Sequence, residues 1–261
     1  MNSTEEPMRI ETIGNATLYL GDCLEVMAGL PDASVDMILC DLPYGTTACK
    51  WDTVIPFEPL WEQYRRIAKK NAAIVLTASQ PFTTALIASN MRGFRYSWVW
   101  DKVRGSNFQT ARRQPMKSHE DVCVFTSGGA PHYDPQWWYS TPYRQNERPR
   151  SHKIEGMING GSAALFCPTT ESVDGRRYPL SIVKFARDGN RIHPTQKPVA
   201  LMEYLIKTYT NEGETVLDNC MGSGSTGVAA LNCGRKFIGI ERDDTYFEIA
   251  QRRIEDSRGL F

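Results

Sequence analysis

Hydrophobic and polar positions follow two patterns along most of the chain, short apolar runs and apolar residues at helical spacing. Apolar runs bounded by turn residues predict strands at Ala16–Leu20, Val35–Cys40, Ala72–Thr77, Tyr96–Trp100, Val122–Thr126, Thr215–Leu217 and Phe237–Ile240. Apolar residues at helical spacing predict helices over Phe57–Lys69, Phe82–Asn90, Pro198–Tyr209, Thr226–Leu231 and Asp243–Ile254. Strands that alternate with helices favour the α/β class, with a mostly parallel, Rossmann-like sheet and helices on both faces.

One segment follows neither of these patterns. Residues 127–191 are rich in Gly, Pro, Ser, Asn and Arg, carry aromatic clusters such as Trp137-Trp138-Tyr139, and lack helical periodicity. A loop of that length is uncommon in a compact domain unless it has a function. We therefore predict a single domain over residues 1–261 with an irregular module inserted at 127–191.

Composition narrows the class of protein. Of 261 residues, 41% are hydrophobic and 23% charged, which is typical of a globular chain. The 30 Lys+Arg balance 30 Asp+Glu, so basic charge for a polyanionic partner must be concentrated locally. The polar, acidic start is unlike a signal peptide, and no apolar run approaches the ~20 residues of a membrane span. The seven cysteines lack metal-ligand spacing. These features predict a cytoplasmic protein that binds neither membrane nor metal.

A glycine-rich motif marks a candidate nucleotide site. Residues Gly222–Gly227 (GSGSTG) follow a predicted strand, open a predicted helix and precede a second strand that ends at Glu241. Such glycines let the backbone approach a ligand, and the carboxylate can accept hydrogen bonds from ribose hydroxyls. A nicotinamide dehydrogenase normally begins its sheet with this unit, whereas here the unit comes last. The order favours a circularly permuted domain with another adenosine-bearing cofactor, with an NAD-dependent oxidoreductase as an alternative.

A second motif, Asp-Leu-Pro-Tyr, begins at Asp41 directly after a predicted strand, where ligands bind in open α/β sheets. Pro43 favours an extended Leu42, so the Asp41 carboxylate and the Leu42 carbonyl are expected to point into one crevice. Two acceptors directed at one point suit an –NH2 group, which has two donors. Tyr44 would offer a flat face beside them.

Together these motifs resemble the permuted (β-class) S-adenosylmethionine-dependent DNA amino-methyltransferases. That family carries a [D/N/S]-P-P-Y catalytic motif and a D-P-F-x-G-S-G-T-T motif, which match Asp41–Tyr44 and Asp218–Thr226. His193–Pro198 equals the family's H-P-T-Q-K-P segment, and Gly21-Asp22 resembles the family's opening. This chain departs from the family where Leu42 and Asn219 replace prolines and Cys220 replaces a phenylalanine.

The resemblance implies a cofactor and a set of site residues. S-adenosylmethionine would contact Asp22, Cys23, Thr195, Lys197, Asp218, Cys220, Met221, Gly222, Gly224, Ser225, Thr226, Glu241 and Arg242. The catalytic set would be Asp41, Leu42, Pro43 and Tyr44, with the target amine bonded to Asp41 and the Leu42 carbonyl and Tyr44 stacked on a flipped base. Asp at the first motif position accompanies adenine more often in the family. We therefore expect N6 of adenine as the target, with N4 of cytosine as the alternative.

Basic residues cluster in two stretches that suit phosphate contact with double-stranded DNA. The expected DNA-contacting residues are Lys102, Arg104, Arg112, Arg113, Lys117, Arg144, Arg148 and Arg150, and the inserted module at 127–191 is the candidate recognition region. A merely solvated surface is the alternative for these stretches, and a non-catalytic DNA-binding protein is the alternative for the whole chain. The sequence allows a homodimer without indicating one, and identifies neither the recognition sequence nor an accompanying restriction nuclease.

Overall fold

The seven predicted strands and two that were not predicted, Arg9–Ile13 and Ile182–Lys184, form one nine-stranded sheet in the computed structural model. The second of these lies in the segment predicted to be an irregular insert. The structure describes residues 8–46, 52–144, 171–189 and 196–257. The sheet consists of β1 (Arg9–Ile13), β2 (Ala16–Leu20), β3 (Val35–Cys40), β4 (Ala68–Ala78), β5 (Phe94–Ser106), β6 (Lys117–Thr126), β11 (Ile182–Lys184), β12 (Thr215–Asp218) and β13 (Lys236–Glu241). The helices are α1 (Cys23–Ala28), α2 (Phe57–Ile67), α3 (Phe82–Ser89), α4 (Val199–Tyr209), α5 (Ser225–Asn232) and α6 (Asp244–Ser257), with a short 3₁₀ helix at Phe108–Thr110.

Strand order places the end of the chain in the middle of the sheet. The order is β1-β2-β13-β12-β3-β4-β6-β5-β11, so the last two strands lie between the second and the third. Pairing is parallel from β2 through β13, β12 and β3 to β4 and again between β5 and β11, and antiparallel for β1–β2, β4–β6 and β6–β5. The predicted mostly parallel α/β sheet is confirmed, and its order is consistent with a permuted domain.

Alternate residues of the central strands pack into two separate hydrophobic cores, one on each face of the sheet. In β3, Met37 and Leu39 pack with α4, α5 and α6, whereas Ile38 and Cys40 pack with α1, α2 and α3. A strand buried on both faces needs a continuous apolar run, which explains the sequence VDMILC. Helices therefore cover both faces, as the sequence predicts.

The sequence misses two elements before β3. The strand β1 is an edge strand that pairs only with β2 among the described strands, and three of its five residues are exposed, so its pattern carries little apolar signal. The helix α1 has only six residues and is begun by Asp22, whose Oδ1 accepts from the backbone N–H of Leu24 at 2.8 Å. Its N-cap, rather than a long helical repeat, sets where it begins.

Contacts divide the described residues into two compact units: one comprises the residues through Asp134 and from Leu180 onward, the other Pro135–Pro179. The smaller unit has two antiparallel ribbons, formed by β7 (Trp138–Tyr139) with β10 (Arg176–Arg177) and β8 (Tyr143–Arg144) with β9 (Glu171–Ser172). This unit lies within the predicted inserted segment 127–191. Its role in recognition stays a prediction.

Candidate functional site

A cleft of about 270 Å³ lies where neighbouring parallel strands end. Its lining includes the residues that follow β2, β3, β12 and β13, which are the carboxyl ends of adjacent strands. The predicted residues in this lining are Asp22, Cys23, Asp41, Leu42, Pro43, Tyr44, Lys197, Asp218, Cys220, Met221, Gly222, Ser225, Thr226, Glu241 and Arg242. The cofactor motif and the Asp-Leu-Pro-Tyr motif therefore face the same space.

Of the predicted cofactor residues that the structure describes, Gly224 is not part of the cleft lining. Thr195 lies outside the described residues. Gly224 adopts a left-handed conformation with φ +78°, and a Cβ at this position would lie 3.0 Å from the Cα of Ala250. Gly224 thus lets the loop turn into α5 against α6 instead of facing a ligand.

Glu241, at the end of β13, is held in place by the loop it faces. Its Oε2 accepts from the Gly222 backbone N–H at 2.9 Å, and its Oε1 accepts from the N–H groups of Arg242 and Asp243, both at 2.9 Å. Burial raises the pKa of this carboxyl above its ordinary value, although the three backbone donors oppose the rise. Each carboxylate oxygen has two acceptor sites, so the fixed carboxylate can still accept from a ligand.

The glycine loop has a support that the sequence motif does not contain. Arg253 in α6 reaches back and donates from Nη1 to the Ser223 carbonyl at 2.5 Å and to the Ser223 hydroxyl at 2.9 Å. The same nitrogen donates to the Ser225 hydroxyl at 3.3 Å. Arg253 was not predicted, because a basic residue on an amphipathic terminal helix carries no local signal of this contact.

Asp218 is a buried carboxyl at the floor of the cleft, only 3% exposed. It accepts from the Cys220 backbone N–H at 3.1 Å. Burial raises the pKa of Asp218 to about 6, against the opposing effect of hydrogen bonds from Thr226 and Cys220. A carboxylate held this way would favour a cation beside it.

Cys220, which replaces the family's phenylalanine, packs among thiols. It lies beside Cys23 and Cys40, and the pKa of each of the three thiols is raised. The contact with Cys220 and burial raise the pKa of Cys23, whereas burial raises that of Cys40 against the opposing contact with Cys220. For Cys220, the contact with Cys23 lowers the pKa, but the contact with Cys40 and burial outweigh it. The three thiols remain neutral at physiological pH and fill space as small apolar groups, which excludes a thiolate nucleophile here. Within the described part of the chain, no group of three or more His, Cys, Asp or Glu could hold a metal ion.

Asp41 is oriented by three donors. Its Oδ1 accepts from the Tyr44 hydroxyl at 2.7 Å and from the Thr77 hydroxyl, and its Oδ2 accepts from the Lys197 ammonium at 2.5 Å. Thr77 comes from β4, next to the strand that Asp41 follows, so adjacent strand ends build this contact. Neither Thr77 nor the pairing with Lys197 was predicted.

The rest of the motif is packed beneath Asp41. Leu42 is 3% exposed and belongs to the core on the α1–α3 face, so a leucine in place of proline fills apolar space. The Tyr44 ring stacks on Phe82, with centroids 5.1 Å apart and planes inclined by 28°. Burial and the Asp41 carboxylate raise the pKa of Tyr44 well above its ordinary value, so its hydroxyl stays a donor.

The loop after the motif is tied down by Asp52. Its Oδ1 accepts from the Gly45 N–H at 2.8 Å, and its Oδ2 accepts from the Thr46 N–H at 2.9 Å. Asp52 is itself buried and lines the cleft. Asp52 therefore fixes the backbone that directly follows the Asp-Leu-Pro-Tyr motif.

A line of alternating charges continues from Asp41. The Lys197 ammonium lies 3.4 Å from Glu120 Oε2, and Glu120 Oε1 lies 3.1 Å from the Lys102 ammonium. The Lys102 side chain is 1% exposed and that of Glu120 13% exposed. Removing one partner from such a buried pair typically costs about 3–5 kcal/mol, because the other charge is left uncompensated.

Each charge in this line shifts its neighbour's pKa. Burial would lower the pKa of Lys197, but the Asp41 and Glu120 carboxylates outweigh it and raise that pKa. Burial would raise the pKa of Glu120, but the two ammonium groups lower it instead. Burial lowers the pKa of Lys102 even though Glu120 opposes the change. The shifts of Lys197 and Glu120 therefore favour their charged forms, whereas burial works against the charge of Lys102.

The prediction for Lys102 as a DNA-contacting residue is corrected by this arrangement, since a buried ammonium paired with Glu120 does not reach a phosphate. Arg104 is exposed near the end of β5, Arg112 and Arg113 are exposed on the connection between β5 and β6, and Lys117, the first residue of β6, is partly exposed. Arg148 and Arg150, and the side chain of Arg144, lie outside the described residues. DNA contact by the exposed residues stays a prediction.

Comparison with known proteins identifies similar chains. A protein-family model described as DNA methylase, of the N6 and N4 type, matches residues 35–252. YubD of Escherichia coli K12, a protein named as a methylase, is 31% identical over 90% of this chain and 88% of its own length. The DNA adenine methyltransferase YhdJ of Escherichia coli K12 is 28% identical over 92% of this chain and 82% of its own length.

Solved structures agree with this grouping. The crystal structure of M1.HpyAVI with SAM is 26% identical, has a TM-score of 0.59, and is matched over 91% of this chain and 99% of that one. The cytosine-N4-specific PvuII DNA methyltransferase has a TM-score of 0.66 at 15% identity, with 95% of this chain and 93% of that chain covered, and so supports the fold alone.

Proposed function

The chain belongs to the DNA methylase family whose model its residues 35–252 match, and from this membership we propose that it transfers a methyl group from S-adenosylmethionine to N6 of adenine in double-stranded DNA. One observation carries the proposal: the Asp41 carboxylate and the Glu241 carboxylate line a single cleft. One suits an exocyclic amine and the other a ribose.

The cofactor side of the cleft fits S-adenosylmethionine in its donor and acceptor chemistry. Glu241, held by three backbone donors, has one acceptor site left on Oε2 and would accept there from a ribose hydroxyl. Asp218 would lie close to the cationic part of the molecule, and Gly222 lets the backbone come near it. The cofactor supplies an electrophilic methyl group on a sulfonium, so a metal ion is not needed for the transfer.

The chain's own residues would prepare the nucleophile. A carboxylate has roughly four acceptor sites. In Asp41, three of these sites are occupied by donors among the described residues. The remaining site can accept from a target amine and hold it in line for transfer, while the Leu42 carbonyl provides a second acceptor. In a duplex, a base must leave the stack to reach such a cleft.

Adenine is favoured over cytosine by one comparison and one sequence feature. YhdJ, which matches 92% of this chain, is named as a DNA adenine methyltransferase. The Asp at the first position of the catalytic motif agrees with this preference. Methylation at cytosine N4 is the outcome that would replace it.

The test is expression in a host that lacks DNA methylation, followed by sequencing with chemistry that distinguishes N6-methyladenine from N4-methylcytosine. N6-methyladenine at one recurrent sequence is expected, and the Asp41→Ala variant should leave the DNA unmodified. Transfer of tritiated methyl by the purified protein checks the cofactor. Tight NAD binding without S-adenosylmethionine binding, or DNA binding without any methyl transfer by the wild type, would overturn the proposal in favour of the alternatives.

A further inference from the structure

The charge line beside Asp41 crosses the sheet edge over four adjacent strands. Asp41 follows β3, Thr77 lies in β4, Glu120 in β6 and Lys102 in β5, and the strands are neighbours in that order. Lys197 enters from the segment before α4 and lies between Asp41 and Glu120. The family resemblance assigns Lys197 to the cofactor, but its ammonium contacts two carboxylates here.

The four charged groups form a neutral set. Two carboxylates, Asp41 and Glu120, alternate with two ammonium groups, Lys197 and Lys102. Both lysine side chains are at most 8% exposed, so solvent cannot compensate an extra charge. A buried set of this kind is tolerated only when each charge keeps its partners.

We propose that Glu120 is a positioning residue for methyl transfer: it holds Lys197 against Asp41 and balances Lys102, so that Asp41 keeps one defined acceptor site for the target amine. The inference rests on the proposed function. Glu120 acts through Lys197 and is not placed on the reacting atoms.

Loss of Glu120 would leave two ammonium groups sharing one carboxylate. Lys102 would then be drawn toward Asp41 or would repel Lys197, and either response moves the Asp41 carboxylate. A displacement of about 1 Å in a reacting geometry typically lowers the rate about a hundredfold. We expect Glu120→Gln to lower kcat about a hundredfold, with KM for S-adenosylmethionine within about threefold of wild type.

A restored charge balance should restore activity. In the double variant Lys102→Met with Glu120→Gln, only the Asp41–Lys197 pair remains, and the set is neutral again. We therefore expect the double variant to recover at least tenfold in kcat over Glu120→Gln, a coupling that independent effects would not produce. Because this variant removes a buried pair together, it is also the variant expected to fold where the single one does not.

The pH profile gives a second signature. The groups facing the set are the Tyr44 phenol and Asp218 near Asp41, and Arg187 and Lys117 near Lys102. In Glu120→Gln, a rise in pH that deprotonates one ammonium returns the set to neutrality. The ratio of variant to wild-type kcat should therefore increase between pH 7 and pH 9.5. A residue that only supports folding would leave this ratio flat.

The experiment uses the purified full chain, tritiated S-adenosylmethionine and genomic DNA from a methylation-free host, with thermal unfolding of every variant. Asp32→Asn is the control, since it removes an exposed partner of Arg66 at 2.6 Å and should keep wild-type kcat. An inactive wild type would overturn the proposed function. An active wild type with unchanged kcat in Glu120→Gln, or a double variant no better than the single one, would overturn this inference alone.

Discussion

Replacing Glu241 with Gln tests the cofactor site with a magnitude taken from its contacts. A hydrogen bond to a charged group contributes about 1.5–3 kcal/mol, and the three backbone donors leave Glu241 one acceptor site, on Oε2, for a ribose hydroxyl. The loss is therefore about 1.5–3 kcal/mol, or about tenfold to a hundredfold in Kd for S-adenosylmethionine. The amide would also place an NH2 group against a backbone N–H, either that of Gly222 or those of Arg242 and Asp243, depending on its orientation.

Calorimetric titration of S-adenosylmethionine measures that change directly. Glu255→Gln on α6 is the matched control, because Glu255 is exposed and contacts only Gln251, at 3.0 Å, among the described residues. Thermal unfolding of the protein without ligand separates lost binding from lost folding. A folded Glu241→Gln variant with a Kd within threefold of wild type would refute the assignment of the ribose to this carboxylate.

Three further outcomes follow from the site and the surface. Asp41→Asn should lower kcat at least about a hundredfold, measured by tritium transfer, while its S-adenosylmethionine Kd from titration stays within threefold. Changing Arg104, Arg112 and Arg113 together to Gln should reduce the slope of log DNA affinity against log salt by about 2.7, measured by fluorescence anisotropy over a salt series; an unchanged slope would mean that these residues do not face DNA. Burial raises the pKa of Asp218 from 3.8 to about 6 in the folded protein. Between these two pH values the folded protein therefore holds a proton that the unfolded chain has released. Burial of Asp218 thus destabilises the fold by about 3 kcal/mol above pH 6, and by less as the pH falls toward 4. Asp218→Asn should accordingly raise Tm relative to wild type more at pH 8 than at pH 5 in calorimetric scans.

Local chemistry made the cofactor half of the site predictable. Glycines at positive φ, a strand before them and an acid after the next strand follow from backbone geometry alone, so the sequence specifies Gly222 and Glu241 without knowledge of distant residues. The position of this unit near the end of the chain likewise indicates a permuted domain, but not the order in which the strands pair. The bounds of most strands and helices agree because their apolar runs are long or strongly periodic.

Contacts between distant segments were not predictable from local pattern. Asp41 meets Thr77 from 36 residues away and Lys197 from 156 residues away, and both meetings depend on which strands become neighbours. The sequence motif identifies Asp41 but not the donors that orient it. Arg253 is a similar case, since its contact with Ser223 spans 30 residues and joins a helix to a loop.

Lys102 and Glu120 show that a cluster of charges in the sequence does not reveal which of its side chains are buried. Side chains alternate between the faces of a strand, so Lys102 follows Trp98 and Trp100 onto the buried face, and Glu120 is in phase with Val122 and Val124. A charge in phase with buried apolar residues must meet an opposite charge, because the free energy of burying it alone is prohibitive. Two such positions on paired strands, of opposite sign, therefore predict each other as partners.

The same alternation separates buried from exposed charge near the end of β5. Arg104 is two residues beyond Lys102, but the pairing register shifts between Asp101 and Ser106, and the alternation ends there. Arg104 is exposed as a result, whereas Lys102 is 2% exposed. The run of basic residues therefore divides here: Lys102 belongs to the buried charge set with Glu120, and Arg104 is the first exposed basic residue of the run.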